Sequence, residues 1–426
     1  MRRKKKGWRI WAGAAVFSLL VFLLVRPLIP PPLPKTIRIG TGAEGGRYTY
    51  FGAALRDRLE QQGFEVELVS SRGSADNVAM LERGDVDCAF VQGGVVSFDA
   101  ETTVRGIASL FWEPIWIFHR HGEQFELVRD LKGRRIAIGK EGSGTQPLIR
   151  SILAANGVRD NFVSIGGEAA FEALAKGEVD ACALVQAPTE EWIHSLVEDG
   201  RFDLLIFARG PAYAARFRHL SVVDVPRGFV DFELDLPKRD VQLLATTANL
   251  AIGPHSHPSL TPLLIETSRD ELAQGSLLAA PGKFPSLAHI DLPLEEDAVR
   301  YHRTGPKLFY RYMPFQAAYA LDRLIILLIP LLTLLYPLFK GAGPLYRWTV
   351  FRRIYPWYKV LQQLEEAIET AETPEERAEI TRQLEELDQG VAQIHVPARY
   401  TAEIYELRRH IAHVVGQNRR PASTGD

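Results

Sequence analysis

The sequence predicts a two-lobed α/β domain set between two transmembrane helices and followed by an α-helical cytoplasmic segment. Three observations predict it: strand and helix patterns alternate twice over between residues 36 and 188, two uncharged apolar runs bracket that stretch, and residues 345–415 carry helical stripes with no strand pattern. The composition agrees. With 426 residues, 46% hydrophobic and 24% charged, the chain is neither largely disordered nor collagen-like nor disulfide-stapled. Its 50 Lys and Arg against 52 Asp and Glu leave no overall basic field, so no nucleic-acid partner is expected. The two cysteines, Cys88 and Cys182, stand in apolar strand patterns and read as small buried hydrophobes.

Residues 1–34 read as a basic flank, a first transmembrane helix over about 8–29 and a Pro-rich spacer. Arg2, Arg3, Lys4, Lys5, Lys6 and Arg9 precede the uncharged run 10–25. As a helix such a run rises about 24 Å against a ~30 Å hydrocarbon core, and Trp8 and Arg26 extend the match at the interfaces. A cleaved signal peptide is the competing reading, but it needs small residues at its cleavage site, whereas Arg26-Pro27-Leu28-Ile29-Pro30 follows. An uncleaved anchor is therefore expected. The second span, 317–340, contains the run 324–339, which has no polar face and whose Pro330 and Pro337 suit a membrane helix. Lys340, Arg347, Arg352, Arg353 and Lys359 follow it. Basic residues on the outer side of both runs place both termini in the cytoplasm and residues 35–316 across the bilayer.

The intervening domain opens with a strand at 37–39, a glycine loop at 40–46 and a helix from Tyr50 to Gln62. A second strand at 64–69, a helix at 74–83 with Ser74 expected as its N-cap, and a third strand at 88–91 complete one unit, which implies a parallel sheet. The pattern then recurs. Ile37-Arg38-Ile39-Gly40 is echoed by Ile136-Ala137-Ile138-Gly139, and the run from Leu81 to Gln92 by the run from Leu174 to Gln186 with one inserted residue. Lobe one is expected to comprise 35–113 plus about 212–316, and lobe two 114–211. The aromatic strand 111–118 forms the first crossover, and the return crossover is expected near Arg209 to Tyr213.

The run from Ile37 to Tyr48, the Gly73-Ser74-x-x-Asn77 opening, Gly84-Asp85-Val86-Asp87 leading to Gln92, and Gly142-Ser143-Gly144-Thr145 together resemble the TAXI family of solute receptors for TRAP transporters. The resemblance covers roughly residues 36–290. It implies a type II periplasmic-binding-protein-like fold, a ligand in the interlobe cleft, a TRAP-type membrane permease as partner and a place at the bacterial inner membrane, with 35–316 periplasmic. Two apparent spans and a tail depart from the family's usual soluble or lipid-tethered form.

Helix starts after Gly45-Gly46 and within Gly142, Ser143, Gly144 and Thr145 offer backbone donors that suit a carboxylate. Ser71 and Ser74 add hydroxyls, and Arg72 would form a two-pronged contact if it faced inward. Tyr48, Gln92, Trp112 and Gln186 are candidate side walls. A small anionic organic solute of the amino acid or dicarboxylate class is the expected ligand. No catalytic residue, metal site or cofactor is expected: Gly142-Ser143-Gly144 is no nucleophile elbow, and His255 and His257 do not complete a tetrahedral set. In the tail, 341–426, stripes through Leu361, Leu364 and Ile368, through Ile380, Leu384 and Leu387 behind the capping box Thr373-Pro374-Glu375-Glu376, and through Ile404, Leu407 and Ile411 predict three helices. These either pack on each other or serve a cytoplasmic partner or self-association. Uptake, ligand-dependent signalling through the tail, and an enzyme on the same two-lobed frame stay open at this point.

Overall fold

The computed structural model describes residues 23, 31–96, 101–123, 125–186, 198–276, 278–396 and 398–418, the side chains at 329, 330, 333–347 and 349 excepted. The first apolar run, apart from Leu23, lies outside the described residues. One compact unit is Pro30–Arg323.

In that unit β1 (Thr36–Gly42), β2 (Glu65–Ser70) and β3 (Cys88–Gln92) form a parallel sheet in the order β2-β1-β3, with Ile37 and Ile39 of β1 fully buried. Helices α1 (Arg47–Gln61) and α2 (Ser74–Arg83) connect them. The long strand β4 (Arg105–Arg120) follows, its centre continuously buried as befits a strand covered on both faces. Lobe two repeats the scheme with β5 (Ile136–Ala137), α3 (Thr145–Ala155), β6 (Phe162–Val163), α4 (Glu168–Lys176) and β7 (Ala181–Val185), joined by β8 (Phe202–Leu204), α5 (Gly210–Arg216) and β9 (Ser221–Val225). Strand β10 (Val241–Ile252) returns the chain, and α6 (Leu260–Glu271) and α7 (Glu296–Thr304) pack on lobe one.

Two strands therefore tie the lobes. β4 pairs with β10 up to Pro114 and with β7 from Ile115 onward. β10 pairs with β9 over Val241 to Ala245 and with β4 and β3 beyond. The return crossover thus lies along β10 near Ala245, not at 209–213. That segment opens helix α5, and Leu220, Val223, Val225, Val241, Leu243 and Leu244 are buried in the lobe-two cores.

The internal repeat has a physical signature. Arg38 donates from its backbone N–H (2.8 Å) and guanidinium (2.9 Å) to Asp87, and Arg135 does the same to Asp180 at 2.9 and 2.9 Å. Both aspartates directly precede the third strand of their lobe and follow a left-handed Gly, Gly84 or Gly177. Strand pairing of Ile39 with Cys88 and of Ile136 with Ala181 makes Arg38 equivalent to Arg135, two residues out of step with a match of Ile37 to Ile136. In this register Gly42 and Gly139 (φ +104° and +98°) and Gly45 and Gly142 (φ +73° and +81°) coincide, so the two glycine loops are the same turn. The Arg135 guanidinium holds the Asp180 carboxyl below the usual carboxylate range. A depressed folded-state value stabilises above the ordinary 3.8 and is lost as pH falls through the folded value. Asp180→Ala is expected to cost about 1–2 kcal/mol at pH 7, the partly exposed guanidinium discounting the charged bonds. The difference from the parent in urea unfolding should shrink as pH drops below 3.8.

The other unit is helical. Helix α8 (Phe315–Thr370) is continuous where two helices had been expected, with Pro330, Pro337, Pro344 and Pro356 inside its range. Helix α9 (Pro374–Ala392) starts at the expected capping box, where Thr373 and Glu376 satisfy each other's backbone N–H groups, and α10 (Thr401–Asn418) closes the chain. The stripes pack on one another: Leu361, Leu384, Val391, Leu407 and Ile411 share one core. Arg408 and Asp388 (2.8 Å) and His410 and Glu365 (3.0 Å) pair at its edge. Among the described residues, no helix is long and apolar enough to cross a membrane.

Candidate functional site

The site forms where both glycine loops meet the crossover strands. Tyr48, in the first turn of α1, stacks on Phe90 at 5.3 Å and its hydroxyl donates to Glu113 Oε2 at 3.0 Å. Glu113 lies on β4 opposite Thr246 of β10 and is buried. Burial pushes its carboxyl up to about 7, against the pull of the Tyr48 hydroxyl and the Arg47 charge. Burial likewise raises the Tyr48 phenol well above its ordinary value, which keeps it a donor at neutral pH. The Arg47 guanidinium covers the Phe111 ring at 4.5 Å.

Ser74 is buried and is the first helical residue of α2, the cap position falling to Gly73, because its hydroxyl accepts the Gln92 N–H at 2.9 Å. Lobe two touches lobe one at this point. A Cβ on Gly144 would stand 2.7 Å from Gln92 Cβ and 2.9 Å from Ser74 Oγ, and one on Gly73 would stand 2.9 Å from Ser143 Cα. Next to them Gly93 is held against β10, where a Cβ would come 2.4 Å from Thr246 Oγ1.

Around Gly93 and Gly94, Gln92 Nε2, Thr246 Oγ1, Asn249 Nδ2, His219 Nε2 and Asp291 Oδ1 are buried without a hydrogen-bond partner among the described residues. Asp291 accepts the Gly94 N–H at 2.6 Å through its other oxygen, and the Thr247 hydroxyl donates to Asn249 Oδ1 at 2.8 Å. Burial lowers His219 to about 4 and raises Asp291 to about 6, so the imidazole is neutral at pH 7. Buried orphan atoms are rare in folded proteins, and five in one place mark a polar cleft shaped for something besides protein.

Tyr48, Ser74, Gln92 and Gly144 converge here. The other candidates do not. Ser71 donates to Asn77 Oδ1 at 2.6 Å, and Asn77 in turn donates to Phe90 O, so Ser71 holds its own loop. Arg72 is 70% exposed and paired with Asp76, lying over Gly142 instead of reaching inward. Ser143 donates to Lys140 O at 2.6 Å, and Thr145 packs over Gly139. Gly45 is exposed, and the Gly46 N–H donates to Ala43 O. Trp112 is core: strand alternation turns it away from Phe111 and Glu113, onto Phe284 and His289. Gln186 falls one residue past β7, where its backbone serves Pro114 and Trp116.

Glu113, Thr246 and Asn249 were missed. Each is a polar residue inside an otherwise apolar strand, and that interruption was the available signal. Among the described residues, no group of three or more His, Cys, Asp or Glu is placed to hold a metal.

The two α/β lobes, the two crossover strands and the cleft between them define a periplasmic-binding-protein-like architecture. A model of the NMT1-like family matches residues 39–212, fewer than half of the 426 residues. Solved structures with a partly similar fold include an ancestral arginine-binding protein bound to arginine, 15% identical with a TM-score of 0.39, covering 57% of this chain and 94% of that one. The alkanesulfonate-binding protein of Xanthomonas axonopodis pv. citri bound to MOPS is 18% identical with a TM-score of 0.37, covering 68% and 96%. A histidine kinase sensor domain with similarity to periplasmic binding proteins is 16% identical with a TM-score of 0.38, covering 57% and 92%.

Proposed function

We propose that this chain is a membrane-anchored solute receptor of TAXI type, non-catalytic, which binds a small anionic organic solute of the amino acid or dicarboxylate class between its lobes for uptake through a TRAP-type permease. The observation that carries the reading is the set of orphan donors, Gln92 Nε2, Asn249 Nδ2 and Thr246 Oγ1, buried where the lobes close. Neutral donors in a dry cleft bind an anion without requiring a cation to be desolvated. In this reading the protein is two-pass in the bacterial inner membrane, both termini are cytoplasmic and residues 35–316 are periplasmic; the basic flanks of the two apolar runs support it. Reporter fusions at residues 200 and 400 test the topology: an external residue 400 would sink it.

Native mass spectrometry of the full-length protein should detect a co-purified carboxylate, and calorimetry with that compound supplies the quantitative test. Because Glu113 ionises near 7 and Asp291 near 6 beside the donors, an anionic solute should bind more weakly at pH 8 than at pH 6, and Glu113→Gln should remove the part of that dependence centred near 7, leaving the part due to Asp291. Affinity that is unchanged by Gln92→Ala and Thr246→Ala moves the site elsewhere. A second reading, signalling through the tail, is supported by the packed helical bundle of residues 350–414, which an anchor alone does not need. Its test is truncation after Lys359: full solute uptake by the truncated protein removes the signalling role.

A further inference from the structure

A second cavity, of about 460 Å³, lies in the same unit as the cleft but shares no wall with it. Its walls are α6, α7, the short turn Leu308–Arg311 and the first turns of α8. The volume is that of a small-molecule site, and three tyrosines, Tyr301, Tyr310 and Tyr319, with Pro258, Pro262 and Pro306, make the lining mainly apolar. The rings are fixed. Tyr319 donates its hydroxyl to Pro31 O at 2.5 Å, and Tyr310 packs edge-on against Phe315 at 5.0 Å.

The charges in the wall are not all compensated. Arg300 pairs with Asp297 at 2.7 Å and Lys307 with Asp322 at 3.0 Å, so both cations are already satisfied. Among the described residues Glu266 has no salt-bridge partner within 4.0 Å, and burial raises the pKa of this half-buried carboxyl against the pull of the Arg269 charge and the Tyr301 hydroxyl. Arg269 offsets part of that charge, but its guanidinium sits over the Tyr301 ring at 5.1 Å, outside the cavity wall. Tyr301 is 5% exposed, and among the described residues its buried hydroxyl has no hydrogen-bond partner within 3.5 Å, with the Glu266 carboxyl and the Arg269 guanidinium close enough to act on it electrostatically.

We propose that this cavity is a second binding site, taking a small organic cation, a protonated primary amine or a quaternary ammonium, with Glu266 as its counter-charge and the tyrosine rings as its walls. Aromatic faces attract such cations through the ring quadrupole, most strongly when water is excluded. A primary ammonium would donate to both Glu266 and the Tyr301 hydroxyl, whereas a quaternary one has no proton to give and rests on charge and ring contact alone. An anion would find both cations engaged and a carboxylate facing it. The same chemistry is offered by a free amine and by the ethanolamine headgroup of a lipid, and the wall ends on α8 just before the apolar run 324–339.

The test uses the full chain in a maltoside detergent, titrated by calorimetry with ethanolamine and with tetramethylammonium. Saturable binding of both is expected, weakened about tenfold in Glu266→Gln. Tyr301→Phe should weaken ethanolamine several-fold and leave tetramethylammonium unchanged, a split that general loosening of the fold would not produce. Thermal unfolding midpoints of both variants check that they fold. In nanodiscs, retention of phosphatidylethanolamine by the parent but not by Glu266→Gln assigns the lipid source, and binding of the free amines without such retention assigns the soluble one. No saturable binding of either cation together with no Glu266-dependent lipid retention overturns the proposal, as does binding that Glu266→Gln leaves unchanged.

Discussion

Gly144→Ala is expected to leave the fold intact and to weaken solute binding about a hundredfold. Gly144 has φ −72° and ψ −30°, so alanine is accepted by the backbone without strain. Its new Cβ would stand 2.7 Å from Gln92 Cβ, 2.8 Å from Gln92 Oε1 and 2.9 Å from Ser74 Oγ, all across the lobe boundary. Gln92 Cβ is anchored by the strand, and Ser74 Oγ is held by the Gln92 N–H, so neither yields as a flexible tip would. Overpacking of this degree costs about 1–3 kcal/mol, and 2.7 kcal/mol is a hundredfold in affinity. Separated lobes escape the clash, so the loss falls on closure and not on folding. Gly73→Ala makes the contrast. Its Cβ meets Ser143 Cα at 2.9 Å, but φ +136° with ψ −162° is a glycine conformation, so stability falls as well, by about 1–3 kcal/mol. Calorimetry with the retained solute and thermal melts of the unliganded protein separate the two effects. Equal affinity for Gly144→Ala and the parent would show that the lobes do not bind by meeting at this loop.

What the sequence made legible were local devices. The positive-φ glycines of both loops, the Thr373 to Glu376 capping box and the unbroken aromatic strand through Trp116 all follow from residues within a few positions of one another. What it hid depends on pairing over long separations. A string match set Gln186 beside Gln92, but strand register makes Val185 the equivalent of Gln92, and one inserted residue carries Gln186 out of the strand. Trp112 was attractive as an aromatic near the crossover, yet strand parity decides which side a residue faces, and Phe111 and Glu113 take the side toward Tyr48. Arg72 illustrates a charge competition: Asp76, in the first turn of the helix that follows, accepts both the Arg72 backbone N–H and its guanidinium and so claims the side chain first. The long reach of α8 was hidden because the basic residues from Lys340 to Lys359 read as the flank that ends a span, though helical backbone runs on through them to Thr370.

Leu384→Glu is expected to melt the helical bundle of the tail while leaving an exposed change such as Glu386→Ala nearly silent. Leu384 is fully buried in a core with Leu361, Val391, Leu407 and Ile411, and the capping box that starts α9 contributes only about 1 kcal/mol to holding that helix. Losing the leucine packing costs about 2–5 kcal/mol, and a carboxylate without a partner adds a desolvation penalty of several kcal/mol more. Three helices sharing one small core have little more stability than that to lose. Hydrogen exchange over 374–418 should therefore rise by orders of magnitude in Leu384→Glu, with a matching loss of helical circular dichroism. The same burial corrects how a partner should be sought. Substituting Leu384 and Leu387 would break the bundle whether or not anything docks there, because these stripes are satisfied by each other. A docking surface has to be probed at residues the bundle leaves outside, such as Tyr355 and Tyr405, 73% and 71% exposed. If Leu384→Glu keeps native exchange protection over α9 and α10, the stripes are not the core of this unit, and the apolar face of α9 is free to meet another protein.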